Sequence, residues 1–183
     1  LDHEKWQHEV TMAGGGNAEF QWYVNDRFNS YTTGGIFHIK PTFTSDIFGE
    51  NFLTSGRVVI PKYECSDGSN NGCDKTGTPE YIINPIRSAL VNSWSAFAFK
   101  YGTVEIRAKL PAGDWLWPAL WLMPKWSVYG GWPRSGEIDM VESRGNRELF
   151  SADGNNHVGN KQMESTLHFG PAWNVNGFWN AHG

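Results

Sequence analysis

The chain is poor in charge. Asp, Glu, Lys and Arg make up 19% of its 183 residues, against about 25% in an average soluble domain. Its 15 basic and 19 acidic residues leave a net charge of -4. No Lys/Arg block or stripe occurs, which argues against a nucleic-acid partner. No apolar run reaches the roughly 18 residues that a membrane-spanning helix needs, so no membrane partner is expected. No charged-then-apolar leader opens the chain at Leu1, which reads as a mature or trimmed form or as a cytosolic protein. Internal repeats, low-complexity tracts and linkers are also missing. The length suits a single domain, residues 1–183, with enough chain for a sizeable core. What the chain has in plenty is aromatic surface and chain-turning residues: ten Trp, 15% aromatics, 21 Gly and 9 Pro.

Cysteine is nearly absent too. The only two, Cys65 and Cys73, bracket a Gly-, Ser- and Asn-rich stretch, ECSDGSNNGC, whose composition is that of a surface loop. A pair closing such a loop reads as a disulfide and places the chain in an oxidising, extracellular setting. Two free surface thiols are the alternative. The seven-residue gap and the lack of partner cysteines exclude a zinc knuckle.

Helical periodicity is weak everywhere, and short β-rich runs separated by turn signals dominate. Gly35–Ile39, Arg57–Ile60, Thr103–Ala108 and Glu137–Glu142 are the clearest. Such spacing predicts an all-β antiparallel sandwich or barrel. In Gly102–Leu110 the alternation is cleanest, with Val104, Ile106 and Ala108 on one face and Glu105, Arg107 and Lys109 on the other. Helical turns are expected only at Thr44–Glu50 and Ser88–Ser93.

The unusual stretch is Trp115–Glu142. It carries five Trp (115, 117, 121, 126 and 132) and the tightest acidic cluster of the chain, Glu137, Asp139 and Glu142 in SGEIDMVES. Glu137 and Asp139, two apart, share a strand face. Glu142 joins them only if one extra residue, Met140 or Val141, bulges out of the ladder. Ile138 and Val141 then both point away, toward a core. Crowded carboxylates raise at least one pKa and leave others ionised, which suits the acid and the carboxylate of glycoside hydrolysis. On a straight strand Glu137 and Glu142 stand about 13 Å apart at ~3.3 Å per residue. Strand curvature and leaning side chains have to close that to the roughly 5–5.5 Å of a retaining pair. A solvated strand face and a carboxylate metal site are the competing readings, the latter disfavoured because such ligands usually sit on loops. The Trp residues tilt the balance, because an indole offers a flat apolar face and an N–H to a sugar ring. Core packing is the plainer account of any one of them.

Over Gly136–Glu142, GEIDMVE resembles the bulged Glu-x-Asp-x-x-Glu signature of glycoside hydrolase family 16, in the form typical of endo-β-1,3-glucanases (laminarinases), including animal and marine-invertebrate members and related glucan-recognition proteins. YGTVEIRAKLPAGDWLWPALWLMP (Tyr101–Pro124), the opening LDHEKWQHEV, NAEFQWY (Asn17–Tyr23) and STLHFGP (Ser165–Pro171) resemble the family's flanking strands, so the likeness covers essentially the whole chain.

The resemblance implies a β-jelly-roll sandwich of two antiparallel sheets with a concave substrate cleft. It implies a secreted, monomeric endo-β-1,3-glucanase acting on a β-glucan polysaccharide by retaining double displacement. Glu137 matches the nucleophile, Glu142 the general acid/base, and Asp139 the residue that tunes the nucleophile. Trp117, Trp121 and Trp132 match or adjoin cleft aromatics, and His168 a histidine beside the acid/base, for which a buried hydrogen-bonded role is the plainer reading. No cofactor is required, although some members carry a calcium ion on the convex side. Another glucan or galactan as substrate, or a non-catalytic glucan-recognition protein, are the alternatives. Two departures stand out. Leu90 follows Ser88-Ala89 where many members have Arg, with Arg87 nearby on the opposite strand parity. The family's fold also continues beyond the point where this chain stops, in what reads as a turn at Asn180–Gly183, so the domain is expected to be truncated at its C-terminus.

Overall fold

The computed structural model describes residues 1–183, which divide into two compact units, Leu1–Phe99 and Lys100–Gly183. Helix is confined to short segments, and the rest is strand, turn and loop.

The first unit contains β1 (Gln7–His8), β2 (Gln21–Tyr23), β3 (Ser30–Thr33), β4 (Ile36–Ile39), β5 (Thr42–Phe43), α1 (Ser45–Phe48), α2 (Glu50–Ser55), β6 (Arg57–Val59), β7 (Asp74–Thr76), β8 (Ile86–Ser88) and β9 (Val91–Asn92). Strand β8 is central to a three-stranded sheet, parallel to β2 and antiparallel to β5. β1–β9, β3–β4 and β6–β7 form two-stranded antiparallel ladders. The β3–β4 hairpin turns through Gly34 (φ 57°) and Gly35 (φ 77°), the left-handed pair that a two-residue turn between twisted strands requires.

A core of Met12, Trp22, Val24, Val58, Ile60 and Ile83 sits under these ladders. Two polar side chains that reach it are held by specific partners. Asn29, fully buried, donates from Nδ2 to Lys40 O and Thr42 Oγ1, each at 2.9 Å. Arg87, on β8, bridges to Asp26 at 2.9 Å and lies over the Trp22 ring at 5.4 Å. It is thus an internal ion-pair residue.

Two sequence expectations need correction. Ser88–Ser93 is not helical: it holds the end of β8 and all of β9, because Val91 pairs with His8 and Leu90 O accepts the Glu9 N–H. A cross-strand partner outweighs a weak local helix preference. Thr103–Ala108, the cleanest alternating run, is not a strand. Its backbone groups find no ladder partner, and Val104 and Ile106 are exposed along with the charged residues between them. Alternation supplies propensity, but only a neighbouring backbone makes a strand.

The second unit is organised by β10 (Ala119–Leu122), β11 (Glu137–Glu142) and β12 (Glu164–His168), an antiparallel sheet with β11 in the middle. Two single-turn helices follow, Trp173–Val175 and Gly177–Asn180. Strand pairing therefore makes five small sheets, one of them containing a parallel pair.

Cys65 and Cys73 form a disulfide. Its loop is stitched to the core strand segment by Ser66 N–H to Val10 O (3.1 Å) and Met12 N–H to Gly72 O (2.8 Å). Closing so short a loop is worth about 2–3 kcal/mol by chain entropy. The double variant Cys65→Ser/Cys73→Ser is expected to lose that amount in a denaturant titration. A change below about 0.5 kcal/mol would show that the hydrogen bonds alone hold the loop.

Candidate active site

The site is built on β11. It enters from a turn closed by Gly136 N–H to Pro133 O at 3.0 Å, with Gly136 at φ 84°, a backbone conformation that side chains resist. Glu137 and Asp139 then occupy one face, as a two-residue repeat dictates.

The register shows where the extra residue goes. Against β10, Leu120 pairs with Val141 and Trp121 with Asp139, so Met140 is the residue without a partner. Against β12, Asp139 pairs with Thr166 and Glu142 with Glu164, again one residue more on β11. Ser165 donates its hydroxyl to Met140 O at 2.8 Å, satisfying a carbonyl that the bulge removes from the ladder. Glu142 thereby returns to the face of Glu137 and Asp139. Ile138, in register with Leu122 and Leu167, lies on the reverse face. That face is apolar as expected, but within this unit Ile138 and Leu167 remain about half exposed (45% each).

Each carboxylate has its own donors. Trp132 Nε1–H donates to Glu137 Oε2 at 2.5 Å, and Trp117 Nε1–H donates to Glu142 Oε1 at 2.9 Å. Asp139, only 4% exposed, lies 3.1 Å from His168 Nε2 through Oδ2 and shares a hydrogen bond with Glu137. Burial, then the neighbouring charges of Glu137 and Glu142, then that hydrogen bond push the Asp139 carboxyl up to about 7. Below about 7 the carboxyl is protonated and can donate to Glu137. Glu137 then accepts from both Asp139 and Trp132. One protonated and one accepting carboxyl side by side is the division of labour that carboxylate-based hydrolysis uses.

The four expected side chains of β11 and β12 and the three expected tryptophans gather here, with roles more polar than stacking alone. The indoles of Trp117 and Trp132 are tethered by their N–H groups, leaving about half of each side chain open to solvent (54% and 41% exposed). Trp121 is in register with Asp139 on the same face and is 39% exposed. None of the five Trp between 115 and 132 is buried, so core packing does not account for them. His168 is in register with Glu137, and its ring lies 5.3 Å from that of Trp132. A solvated strand face is ruled out by the burial of Asp139. No three His, Cys, Asp or Glu side chains converge into a set that could hold a metal ion.

One participant is not legible in the sequence. Asn176 binds His168 Nδ1 through Nδ2 at 2.9 Å. Its only sequence signal is Asn-Gly, a turn and cap pair, which says nothing about reaching a histidine eight residues back.

The raised Asp139 carboxyl has a sign. A group held protonated by the fold contributes stability that is intact below its unfolded value near 4 and is lost as the pH rises through about 7. Asp139→Asn keeps a donor toward Glu137 and an acceptor toward His168 without an ionisation to suppress. Its melting temperature is therefore expected to fall less than that of the wild type between pH 5 and pH 8. Parallel curves for the two proteins would show that Asp139 is ionised throughout this range.

Residues 61–178 match the family described as glycosyl hydrolases family 16, across the point where the chain divides into units. A β-1,3-glucan-binding protein of Penaeus monodon is 48% identical over 187 residues, covering all of this chain and 50% of the relative. A glucan endo-1,3-beta-glucosidase A1 of Niallia circulans is 35% identical over 184 residues, covering 96% of this chain and 21% of the relative. The chain thus spans half or less of these relatives. Among solved structures, the laminarinase of Rhodothermus marinus matches with a TM-score of 0.62 at 24% identity, covering 92% of this chain and 50% of that one. This likeness shows the fold, the expected all-β jelly roll. With the family's pattern matched over more than half its length, the chain belongs to glycosyl hydrolases family 16.

Proposed function

We propose that this chain carries the catalytic carboxylates of an endo-acting β-1,3-glucan hydrolase of the retaining type, acting outside the cell. The observation that supports it most is the triad on β11: Glu137 and Glu142 each held by an indole N–H, with the buried Asp139 between them. A bystander strand has no use for three crowded carboxylates, each supplied with a donor.

In this reading Glu137 attacks the anomeric carbon and Glu142 gives its proton to the leaving glycosidic oxygen. Water, deprotonated by Glu142, then cleaves the glycosyl–Glu137 ester. Asp139 donates to Glu137 before the attack, and its hydrogen bond holds the carboxylate in one rotamer. Once Glu137 becomes an ester, its ability to accept drops, and the proton on Asp139 strengthens the leaving carboxylate in the second step. Trp117, Trp121 and Trp132 offer ring faces to glucose units.

A second reading has its own observation. The relative that is 48% identical is named for binding β-1,3-glucan, not for cleaving it, and a Trp-lined carboxylate face would bind a glucan without turnover. The two readings separate on the full-length protein with laminarin, scoring reducing ends and bound polysaccharide together. The hydrolytic reading expects release of short reducing oligosaccharides, reduced on the order of a thousandfold or more in Glu137→Gln with glucan retention preserved. Retention without turnover in the wild type would establish the binding reading instead. Wild-type turnover left intact in Glu137→Gln would remove Glu137 from the chemistry.

A further inference from the structure

We propose that Asn176 is a positioning residue that fixes His168 as the Nε2–H tautomer, so that His168 meets Asp139 as a hydrogen-bond donor. The catalytic half of this inference rests on the function proposed above; the tautomer half does not.

The argument runs through the orientation of one amide. Asn176 Oδ1 accepts the backbone N–H groups of Phe169 and Phe178, both at 3.2 Å. An NH2 group cannot accept, so these two donors settle which end of the amide is oxygen. The other end, Nδ2, is then a donor, and it lies 2.9 Å from His168 Nδ1. A nitrogen facing a donor must offer its lone pair. His168 Nδ1 is therefore bare, and the ring proton sits on Nε2, which faces Asp139 Oδ2 at 3.1 Å. The partner of one imidazole nitrogen sets the state of the other.

The consequence reaches Glu137. Asp139 Oδ2 is occupied as an acceptor, so the Asp139 proton belongs on Oδ1, where it serves Glu137. If His168 carried its proton on Nδ1 instead, bare Nε2 would face Asp139 and take that carboxyl proton as acceptor, leaving Glu137 without it. The groups facing His168 are Asp139 and Glu137 from β11, the Trp132 ring at 5.3 Å and the Phe178 ring at 5.4 Å. His182 lies beyond Phe178, with its ring 6.5 Å from that of Phe178 and its Nδ1 on Phe178 O at 3.1 Å. Asp139 meets the imidazole at Nε2, and the amide of Asn176 is the donor at Nδ1.

Asn176→Asp tests this with minimal change of shape. A carboxylate at 176 still accepts from Phe169 and Phe178, so the turn keeps its closure. It presents an acceptor to His168 Nδ1, however, and demands a proton there. The readout is 15N NMR of His168 at neutral pH in the full-length protein. The wild type is expected to show a bare Nδ1 and a protonated Nε2, and Asn176→Asp a protonated Nδ1. On the catalytic reading, kcat on laminarin falls at least about tenfold with KM within about twofold, and the pH profile changes shape. A wild-type His168 protonated on Nδ1 overturns the proposal without any variant, and so does an unchanged Nδ1 in a folded Asn176→Asp. If the NMR signature is as stated but neither protein hydrolyses glucan, the tautomer assignment stands and the catalytic reading falls.

Discussion

One unpaired residue governs the site. Met140 has no partner on β10, and the ladder to β12 absorbs one residue between Asp139 and Glu142. A strand alternates its side chains with a period of two, so an odd spacing of five between Glu137 and Glu142 would put them on opposite faces. The bulge converts that odd number into an even one. Everything polar about the site follows: the three carboxyl groups share a face, the apolar Ile138 is left on the reverse, and Ser165 has a freed carbonyl to bind. Removing the bulge would leave the same residues in the same order with no site.

Bringing three acids together creates an electrostatic problem that the surrounding groups then solve. Burial and the neighbouring charges of Glu137 and Glu142 favour the protonated form of Asp139, and its proton can serve a hydrogen bond to Glu137. The indole N–H groups of Trp117 and Trp132 are neutral donors. They stabilise carboxylates without bringing in a cation that would hold every carboxyl ionised. A Lys or Arg in either place would abolish the contrast between a protonated and an accepting carboxyl. This gives the aromatic richness of the stretch a second use besides apolar surface. The same neutral-donor logic extends through His168 to Asn176, whose amide is oriented by two backbone N–H groups.

The other buried charge in the chain is handled differently. Arg87 on β8 is a cation inside a weakly charged unit, and it is met directly by Asp26 and by the Trp22 ring. Truncating Asp26 would leave the Arg87 charge buried without its counter-ion, which is generally far more costly than the pair's net gain. In the first unit, then, polar burial serves structure, through Arg87, Asn29 and the disulfide loop. In the second it serves the carboxylate face.

Much of this was legible in the amino-acid order. The all-β class followed from short runs and turn residues, the disulfide from two cysteines around a Gly/Ser/Asn loop, and the carboxylate face from the spacing of Glu137, Asp139 and Glu142 with a bulge near Met140. These are local properties: side-chain period, turn chemistry and like-charge crowding act within a few residues. Other features were decided elsewhere. Thr103–Ala108 has the pattern of a strand but no ladder, and Val91 pairs where a helical turn was expected, because a strand is completed by a backbone distant in sequence. The indole N–H contacts, the proton on Asp139 and the approach of Asn176 to His168 depend on where separate segments meet, at distances of a few ångströms. Sequence order alone determined which groups were available and which face each would take. Only the tertiary structure decided which donor meets which acceptor, because hydrogen bonds and desolvation are set by three-dimensional proximity, and the linear spacing of residues does not encode it.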